Sequence, residues 1–222
     1  LSSRAPPLPR LVSHGDPTMI TLVCAVLSGA MFYLSLGLDD VWSLAWIAPL
    51  PLLWLAYGPA PRWQLFAASL AAYAAGQIYL LQCYWGMLPW FAIALMTLGF
   101  GMIFATTMVG ARAAWRHLPA WAALFAFPAI WTALEYLVGL VSPHGSWSAM
   151  GYSQVAFPPA IQVASLFGLY AVTFLLCLFA SALAVASARL RYRRSGSASR
   201  SGTASRGIRP PRSWRPTLAR RS

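Results

Sequence analysis

Six apolar runs, separated by short polar or proline-containing segments, occupy most of the chain up to residue 188. They lie at 18–38, 41–57, 63–85, 87–111, 118–141 and 160–188. Each run is close to the roughly 20 residues that a helix needs to cross the hydrocarbon core of a bilayer. The pattern therefore predicts an all-α protein, a polytopic transmembrane helix bundle of about six helices.

Two of the runs carry features that refine this prediction. The second is short and contains Pro49 and Pro51, which predicts a kink or a segment that crosses only part of the membrane. The third contains Ala68, Ala72 and Gly76 at four-residue spacing. Because small residues at this spacing let two helices approach closely in lipid, we expect the third helix to pack tightly against a neighbour.

Composition supports a membrane protein independently of the pattern. Hydrophobic residues make up 59% of the chain and charged residues only 9%, and the mean hydropathy is +0.61. A soluble domain carries about 25% charged residues, so this chain has too few charges to cover a water-facing surface. Composition therefore excludes an ordinary soluble globular protein and favours a bilayer as the solvent.

Charge placement predicts an orientation. The sixteen basic residues are all arginine. If the N-terminus is cytoplasmic and six helices alternate in direction, every arginine falls in a cytoplasmic segment, whereas Asp39 and Asp40 fall in the first outer loop. This distribution follows the positive-inside rule. It predicts a multi-pass protein whose N- and C-termini are both cytoplasmic.

The two ends of the chain differ from the apolar region. We expect an irregular segment over 1–17, a transmembrane domain over 18–188 and a disordered, Arg/Ser/Pro-rich cytoplasmic tail over 189–222. The tail should lie near anionic lipid headgroups. It has no RGG repeat and only two aromatic residues, so we expect no nucleic acid as a partner. The first methionine is Met19, which leaves the true start open between Leu1 and Met19.

The three cysteines carry no sign of metal or redox chemistry. Cys24, Cys83 and Cys177 each lie in an apolar run, without CxxC or Cys/His ligand spacing. We expect three buried thiols that act as small hydrophobic side chains, and no disulfide. No metal site and no cofactor is expected.

The segment HGSWSAMGYSQ, at 144–154, is an uncharged loop rich in hydrogen-bonding groups. The predicted layout places it on the outer side, between the fifth and sixth helices. Uncharged hydroxyl, amide and indole groups can bond a lipid headgroup without the desolvation cost of a charge. We therefore predict that Trp147, Tyr152, Ser153 and Gln154 face lipid or substrate. The alternative is that Ser153 and Gln154 cap the following helix.

Three further residues are candidates for substrate contact. Tyr84 and Trp85, at the outer end of the third helix, form either an interfacial aromatic belt or one wall of a lipid-binding groove. Glu135 is an acid inside an apolar run, where a charge costs a few kcal/mol and is usually paired or functional. We expect it either to pair with an aromatic hydroxyl or His144, or to handle substrate directly.

Three segments, in this order and spacing, resemble the apolipoprotein N-acyltransferase family. DDVWSLAWIAPLPLL (39–53) resembles the Trp-rich start of that family's second helix. FPAIWTALEYLVG (127–139) resembles its P-A-L-W-x-x-x-E-x-L-R-G helix. GSWSAMGYSQ, followed by IQVASLFGLYAVTFLL, resembles its F-P-W-x-x-x-G-Y-S-Q loop and the next helix. The resemblance covers roughly residues 34–188.

The match has departures. Val138 stands where the family usually has arginine, and Gly145 and Ser146 stand where it usually has Phe-Pro. The family continues into a further membrane helix, a nitrilase-like domain and a final helix, whereas this sequence continues into the basic tail.

The resemblance implies a place in lipoprotein biosynthesis at a bacterial inner membrane. In this family an acyl chain passes from a phospholipid to a cysteine thiol, and then to the free amine of a diacylglyceryl-cysteine. The family's Glu, Lys and Cys residues for this chemistry lie in the nitrilase-like domain, and this sequence contains no lysine. We therefore assign no catalytic residue and expect a truncated product that is inactive alone. The expected partners are membrane phospholipid, a diacylated lipoprotein and a separate nitrilase-like catalytic domain.

Two other functions stay open at this point. A small membrane transporter would carry several paired charges or broken helices in the membrane, and Glu135 alone is weak support for one. A non-catalytic lipid-binding membrane protein is the other alternative. The sequence also leaves open a fragment, a frameshift product and one half of a split enzyme.

Overall fold

The computed structural model describes residues 17–142, 144–147 and 149–201, with side chains described as far as Arg191. This part of the chain contains α-helices joined by short turns and no β-strand. The predicted all-α bundle is confirmed. Two 3₁₀ turns lie at Trp42–Trp46 and Met150–Gln154. The helices are α1 (Pro17–Leu36), α2 (Leu50–Ala56), α3 (Arg62–Gly76), α4 (Tyr79–Tyr84), α5 (Trp90–His117), α6 (Ala120–Val141), α7 (Pro158–Phe167) and α8 (Leu169–Ser201).

Four of the described helical segments are long and apolar enough to cross a membrane. They are Pro17–Leu36, Trp90–His117, Ala120–Val141 and Leu169–Arg191. Every predicted run contains helix. The third and sixth runs, which we expected to be single helices, are each broken in two: α3 and α4 form the third, and α7 and α8 form the sixth. The protein is therefore a multi-pass membrane protein that combines four long helices with shorter pieces.

The breaks follow from particular residues. The second run changes from the 3₁₀ turn Trp42–Trp46 to α2 at Pro49, as its prolines predicted, because proline cannot donate the helical hydrogen bond. The third run breaks after Gly76, where α3 ends and α4 starts two residues later. The sixth run breaks at Gly168, whose φ of 80° and ψ of 172° lie in a region essentially restricted to glycine.

The helices pack in a closed order. Helix α1 packs against α3, α3 against α5, α5 against α6, and α6 against α8, while α2 contacts α1, α5 and α8 and completes the ring. The predicted tight packing of the third run is confirmed. A Cβ atom at Gly76 would overlap Phe32 of α1, and Gly29 of α1 lies against the backbone of Ala72. Small residues thus let α1 and α3 approach closely.

An aromatic cluster fills the centre of the ring. Tyr73 of α3 and Phe104 of α5 stack with ring centroids 4.5 Å apart. Phe32 of α1 meets both edge-on, at 5.1 and 5.3 Å, and Trp131 of α6 meets both edge-on at 5.1 Å. Such pairs add about 0.5–1.5 kcal/mol each beyond the burial of their surface. The cluster therefore joins four helices one turn away from Glu135.

The two ends of the bundle differ in charge. The arginines with described side chains lie in the first turn of α3, in the last two turns of α5 and in the second half of α8. We call this end of the bundle, where α1 and α3 begin and α2 and α5 end, the arginine end. Asp39 and Asp40 lie at the opposite end, which also carries residues 144–154 and is called the loop end. Helix α8 continues to Ser201, past the boundary expected at residue 188. The predicted irregular residues 1–16 and the predicted tail after 201 lie outside the described residues.

Candidate functional site

Four segments from different parts of the chain meet at the loop end. The turn Met150–Gln154 packs against the first part of α8 and against the turn Trp42–Trp46. Glu135 reaches the same turn from α6. These are the segments whose motifs stood out in the sequence, and hydrogen bonds connect them. We call this set of bonded residues the turn network.

Glu135 anchors the network. Its Oε1 atom accepts a hydrogen bond of 2.7 Å from the backbone N–H of Met150. The indole of Trp131 and the hydroxyl of Thr173 lie near the carboxylate, but its Oε2 atom has no hydrogen-bond partner among the described residues. We expected an aromatic hydroxyl or His144 as its hydrogen-bond partner. This is wrong, because the turn places the backbone N–H of Met150 against the carboxylate instead. Glu135 is buried, at 9% exposure, so the carboxylate faces the protein interior.

Gly151 allows the turn to approach α8. Its backbone N–H donates to the Thr173 hydroxyl at 3.0 Å. A Cβ atom at this position would lie 2.8 Å from the Leu169 carbonyl oxygen, a distance that side chains essentially never show. Glycine is therefore required here by close packing rather than by backbone conformation.

Gln154 joins the turn to the Trp-rich segment. Its Oε1 atom accepts a 3.0 Å hydrogen bond from the indole N–H of Trp46, and its Nε2 atom donates to the carbonyl of Trp42 at 2.8 Å. The same Nε2 atom donates to the Ser153 hydroxyl, which in turn donates to the carbonyl of Met150. Both polar atoms of the amide are thereby satisfied within the protein.

The interpretation of Ser153 and Gln154 as helix caps is wrong. Helix α7 follows Phe157, and no side chain caps its first turn. Ser153 and Gln154 are buried, at 6% and 1% exposure, so the structure also places neither on a surface open to lipid. Their bonds close the 3₁₀ turn and fix it to its neighbours.

The aromatic residues of the loop form the exposed layer over this network. Trp147 and Tyr152 are exposed. The Trp147 ring lies edge-on to Tyr84, with centroids 5.2 Å apart, and the His144 ring lies 6.1 Å from that of Tyr84. The Tyr152 and Ser146 hydroxyls are 3.0 Å apart. We call Tyr84, His144, Trp147 and Tyr152 the aromatic patch.

The predicted site residues thus divide into a buried group, formed by Glu135, Ser153 and Gln154, and a group at the surface. Trp147, Tyr152 and Trp85 are exposed and Tyr84 is half-buried. Trp85, at 73% exposure, stands beside the patch without an aromatic partner among the described residues. Sequence reasoning missed Thr173. Its signal was a lone threonine in the apolar helix that follows the GYSQ motif.

The cysteines include one correction. Cys24 and Cys177 are buried as expected, but Cys83 is exposed on the short helix α4, which buries only Tyr79 and Leu80. Cys177 is fully buried on α8, close enough to Glu135 for electrostatic interaction. Among the described residues, no group of three or more His, Cys, Asp and Glu side chains could hold a metal ion.

These features define a class of protein: a multi-pass helical membrane protein with an uncharged aromatic patch held over a buried hydrogen-bond network. The family model for the apolipoprotein N-acyltransferase N-terminal domain matches residues 28–182, and the chain belongs to this family.

Curated relatives agree with the family model. The chain is 34% identical to the apolipoprotein N-acyltransferase of Geobacter metallireducens over 166 residues, which cover 69% of this chain and 31% of the relative. It is 29% identical to that of Shewanella oneidensis over 177 residues, covering 75% and 34%. A shorter match of 71 residues, to the protein of Chromobacterium violaceum, is 44% identical and covers 32% and 14%. The chain spans about a third of the length of the first of these relatives, and no solved structure matches it.

Proposed function

We propose that this chain forms the membrane-embedded part of phospholipid-to-lipoprotein N-acyl transfer. The aromatic patch would contact the headgroup and ester region of a phospholipid, and the same end would face a diacylated lipoprotein and a nitrilase-like catalytic domain. The relatives supply the reaction, because they are named apolipoprotein N-acyltransferases. The function lies in lipoprotein biosynthesis at a bacterial inner membrane.

One observation carries this proposal: an exposed aromatic layer rests on a buried turn that hydrogen bonds fix to its neighbours. Trp147 and Tyr152 have apolar rings with one polar tip each, which suits the boundary between lipid tails and headgroups. The turn network beneath them holds the loop in one conformation, since Glu135, Thr173 and the Trp42–Trp46 turn each bond it from a different segment. A rigid support of this kind lowers the entropy lost when a ligand binds.

The residues of this chain do not supply the chemistry. Thioester formation requires a thiolate beside a base, with a positive group to hold the oxyanion. The sequence has no lysine, and the arginines with described side chains lie at the end opposite the aromatic patch. We therefore propose that this polypeptide, taken alone, binds lipid and does not transfer an acyl group.

Photo-crosslinking tests the lipid-binding part of this proposal. The purified chain in nanodiscs is irradiated with a phospholipid that carries a diazirine near its ester, and crosslinked peptides are mapped by mass spectrometry. Within the loop end, crosslinks should concentrate on residues 144–157, and Trp147→Ala should reduce them about fivefold, the equivalent of about 1 kcal/mol for one aromatic contact.

Trp121 provides a matched control. It is 69% exposed in the first turn of α6, at the arginine end. Trp121→Ala should leave crosslinking of residues 144–157 unchanged. Labelling that is spread evenly over all exposed helix surfaces, or an equal loss in both variants, would refute lipid binding by the aromatic patch.

A further inference from the structure

The arginine end holds positive charge without a matching anion among the described groups. Arg112 is 2% exposed, and its Nη2 atom donates to the carbonyls of Gly58, at 3.3 Å, and Ala60. Its Nε and Nη1 atoms are buried and have no acceptor among the described residues. Arg62 and Arg116 add positive charge nearby. Every acidic residue in the described part of the chain lies toward the loop end.

A second guanidinium reaches the same loop. The Cζ atom of Arg191 lies 4.3 Å from the centroid of the Trp54 ring, and its Nη1 atom lies beside Gly58. Its Nη2 atom is buried and finds no acceptor in the described part of the protein. Arg112 and Arg191 therefore flank residues 58–60 with unused N–H donors. Guanidinium groups in this arrangement suit the oxygens of a phosphate.

An apolar groove lies next to Arg191, on the other side of Trp54. It runs between α1 and α2, has a volume of about 510 Å³ and is lined by apolar side chains that include Met19, Val23, Leu50 and Trp54. Its volume lies within the range of small-molecule sites. Trp54 belongs to both features, because it lines the groove and Arg191 lies over the face of its ring. An apolar groove lined by a tryptophan that carries a guanidinium over its face is complementary to an amphiphile with an anionic head.

We propose that the arginine end binds an anionic phospholipid of the bilayer, with an acyl chain in the groove between α1 and α2 and the phosphate at Arg191, next to the buried charge of Arg112. Basic pockets between membrane helices bind anionic headgroups in this way. The site is separate from the aromatic patch, which lies at the other end of the bundle.

Native mass spectrometry measures this binding. The full chain is delipidated in detergent and titrated with phosphatidylglycerol or with phosphatidylcholine of the same acyl chains. Phosphatidylglycerol should be retained about five- to tenfold more strongly, because its net negative charge is not cancelled by a choline. Arg191→Gln should remove most of this preference, and Arg191→Lys should keep part of it.

Two variants separate the groove from general surface charge. Arg189→Gln removes one positive charge from α8, as Arg191→Gln does. Residues two positions apart lie on different faces of a helix, so this variant should keep the preference for phosphatidylglycerol. Val23→Trp fills the groove without changing charge and should lower the retention of both lipids about fivefold or more. Size-exclusion chromatography checks that each variant is folded.

Three results would overturn the proposal. If Arg191→Gln and Arg189→Gln lost the preference for phosphatidylglycerol equally, the preference would come from the positive charge of the surface as a whole and not from a site at Arg191. Equal retention of the two lipids by the unmodified chain would show no headgroup site. Displacement of phosphatidylglycerol by millimolar inorganic phosphate, with Val23→Trp binding normally, would show an anion site that does not hold an acyl chain.

Discussion

At the level of single residues, the contact between Glu135 and the Met150 amide decides whether the loop end stays ordered. Glu135→Leu leaves that buried N–H without an acceptor and should cost about 1–3 kcal/mol of stability. Glu135→Gln keeps an acceptor oxygen and should cost less than about 1 kcal/mol. Thermal unfolding in detergent measures both changes, and hydrogen exchange at Met150 reports the bond itself. Equal behaviour of the two variants would mean that the carboxylate does not hold the turn.

Gly151 provides a second test at this scale. An alanine Cβ would lie 2.8 Å from the Leu169 carbonyl oxygen, so Gly151→Ala should force the turn away from α8 and cost about 1–3 kcal/mol. Gly99 is the matched control, because no atom lies within 4 Å of a Cβ placed there. Gly99→Ala sits inside α5 and should be neutral or stabilise by up to about 1 kcal/mol. A harmless Gly151→Ala would contradict the close approach.

At the level of elements, the break at Gly168 sets the direction in which α8 leaves the loop end. A Cβ atom there would meet nothing within 4 Å, so its φ of 80° alone excludes other residues. Gly168→Ala should therefore cost about 1–3 kcal/mol through backbone strain and favour one continuous helix in place of α7 and α8. Thermal unfolding and hydrogen exchange across residues 158–173 measure the effect. Unchanged stability and exchange would show that the break does not depend on this glycine.

The elements also show what the sequence could and could not predict. The apolar runs and the small-residue face of α3 were predictable, because composition and spacing encode them directly. The partner of Glu135 was not, since every residue carries a backbone N–H and no side chain marks which one will reach the carboxylate. The bond from Trp46 to Gln154 spans 108 positions, a distance over which no local pattern operates. Cys83 is exposed because α3 ends at Gly76 and a separate short helix carries this cysteine. The uninterrupted apolar run gave no sign of this break.

At the level of the whole molecule, the separation of charge between the two ends predicts orientation in the membrane. The arginine end should face the cytoplasm and the loop end the outside. Cys83 is exposed on α4 near the loop end, whereas Cys24 and Cys177 are buried. A membrane-impermeant maleimide added to intact spheroplasts should therefore label the protein once, and Cys83→Ser should abolish labelling. Labelling of Cys83 only after the cytoplasmic face is made accessible would show the opposite orientation.

The closed ring of helices forms a scaffold in the membrane. In the proposed function this polypeptide, taken alone, binds phospholipid and does not transfer the acyl group. The exposed Cys83 is the thiol that could contradict this assignment, because it is the cysteine that a substrate at the loop end would reach. No lysine accompanies it in the sequence, so its thiolate would lack a lysine ammonium to stabilise an oxyanion.

Trapping of a covalent acyl group is the most direct test of this central claim. The purified chain is incubated with phospholipid that carries a labelled acyl chain, denatured, and divided into samples with and without hydroxylamine, which cleaves thioesters. We predict no covalent label in either sample, even when lipid is bound before denaturation. A label that hydroxylamine releases, and that disappears in Cys83→Ser, would contradict the account by showing that this polypeptide forms the acyl-enzyme itself.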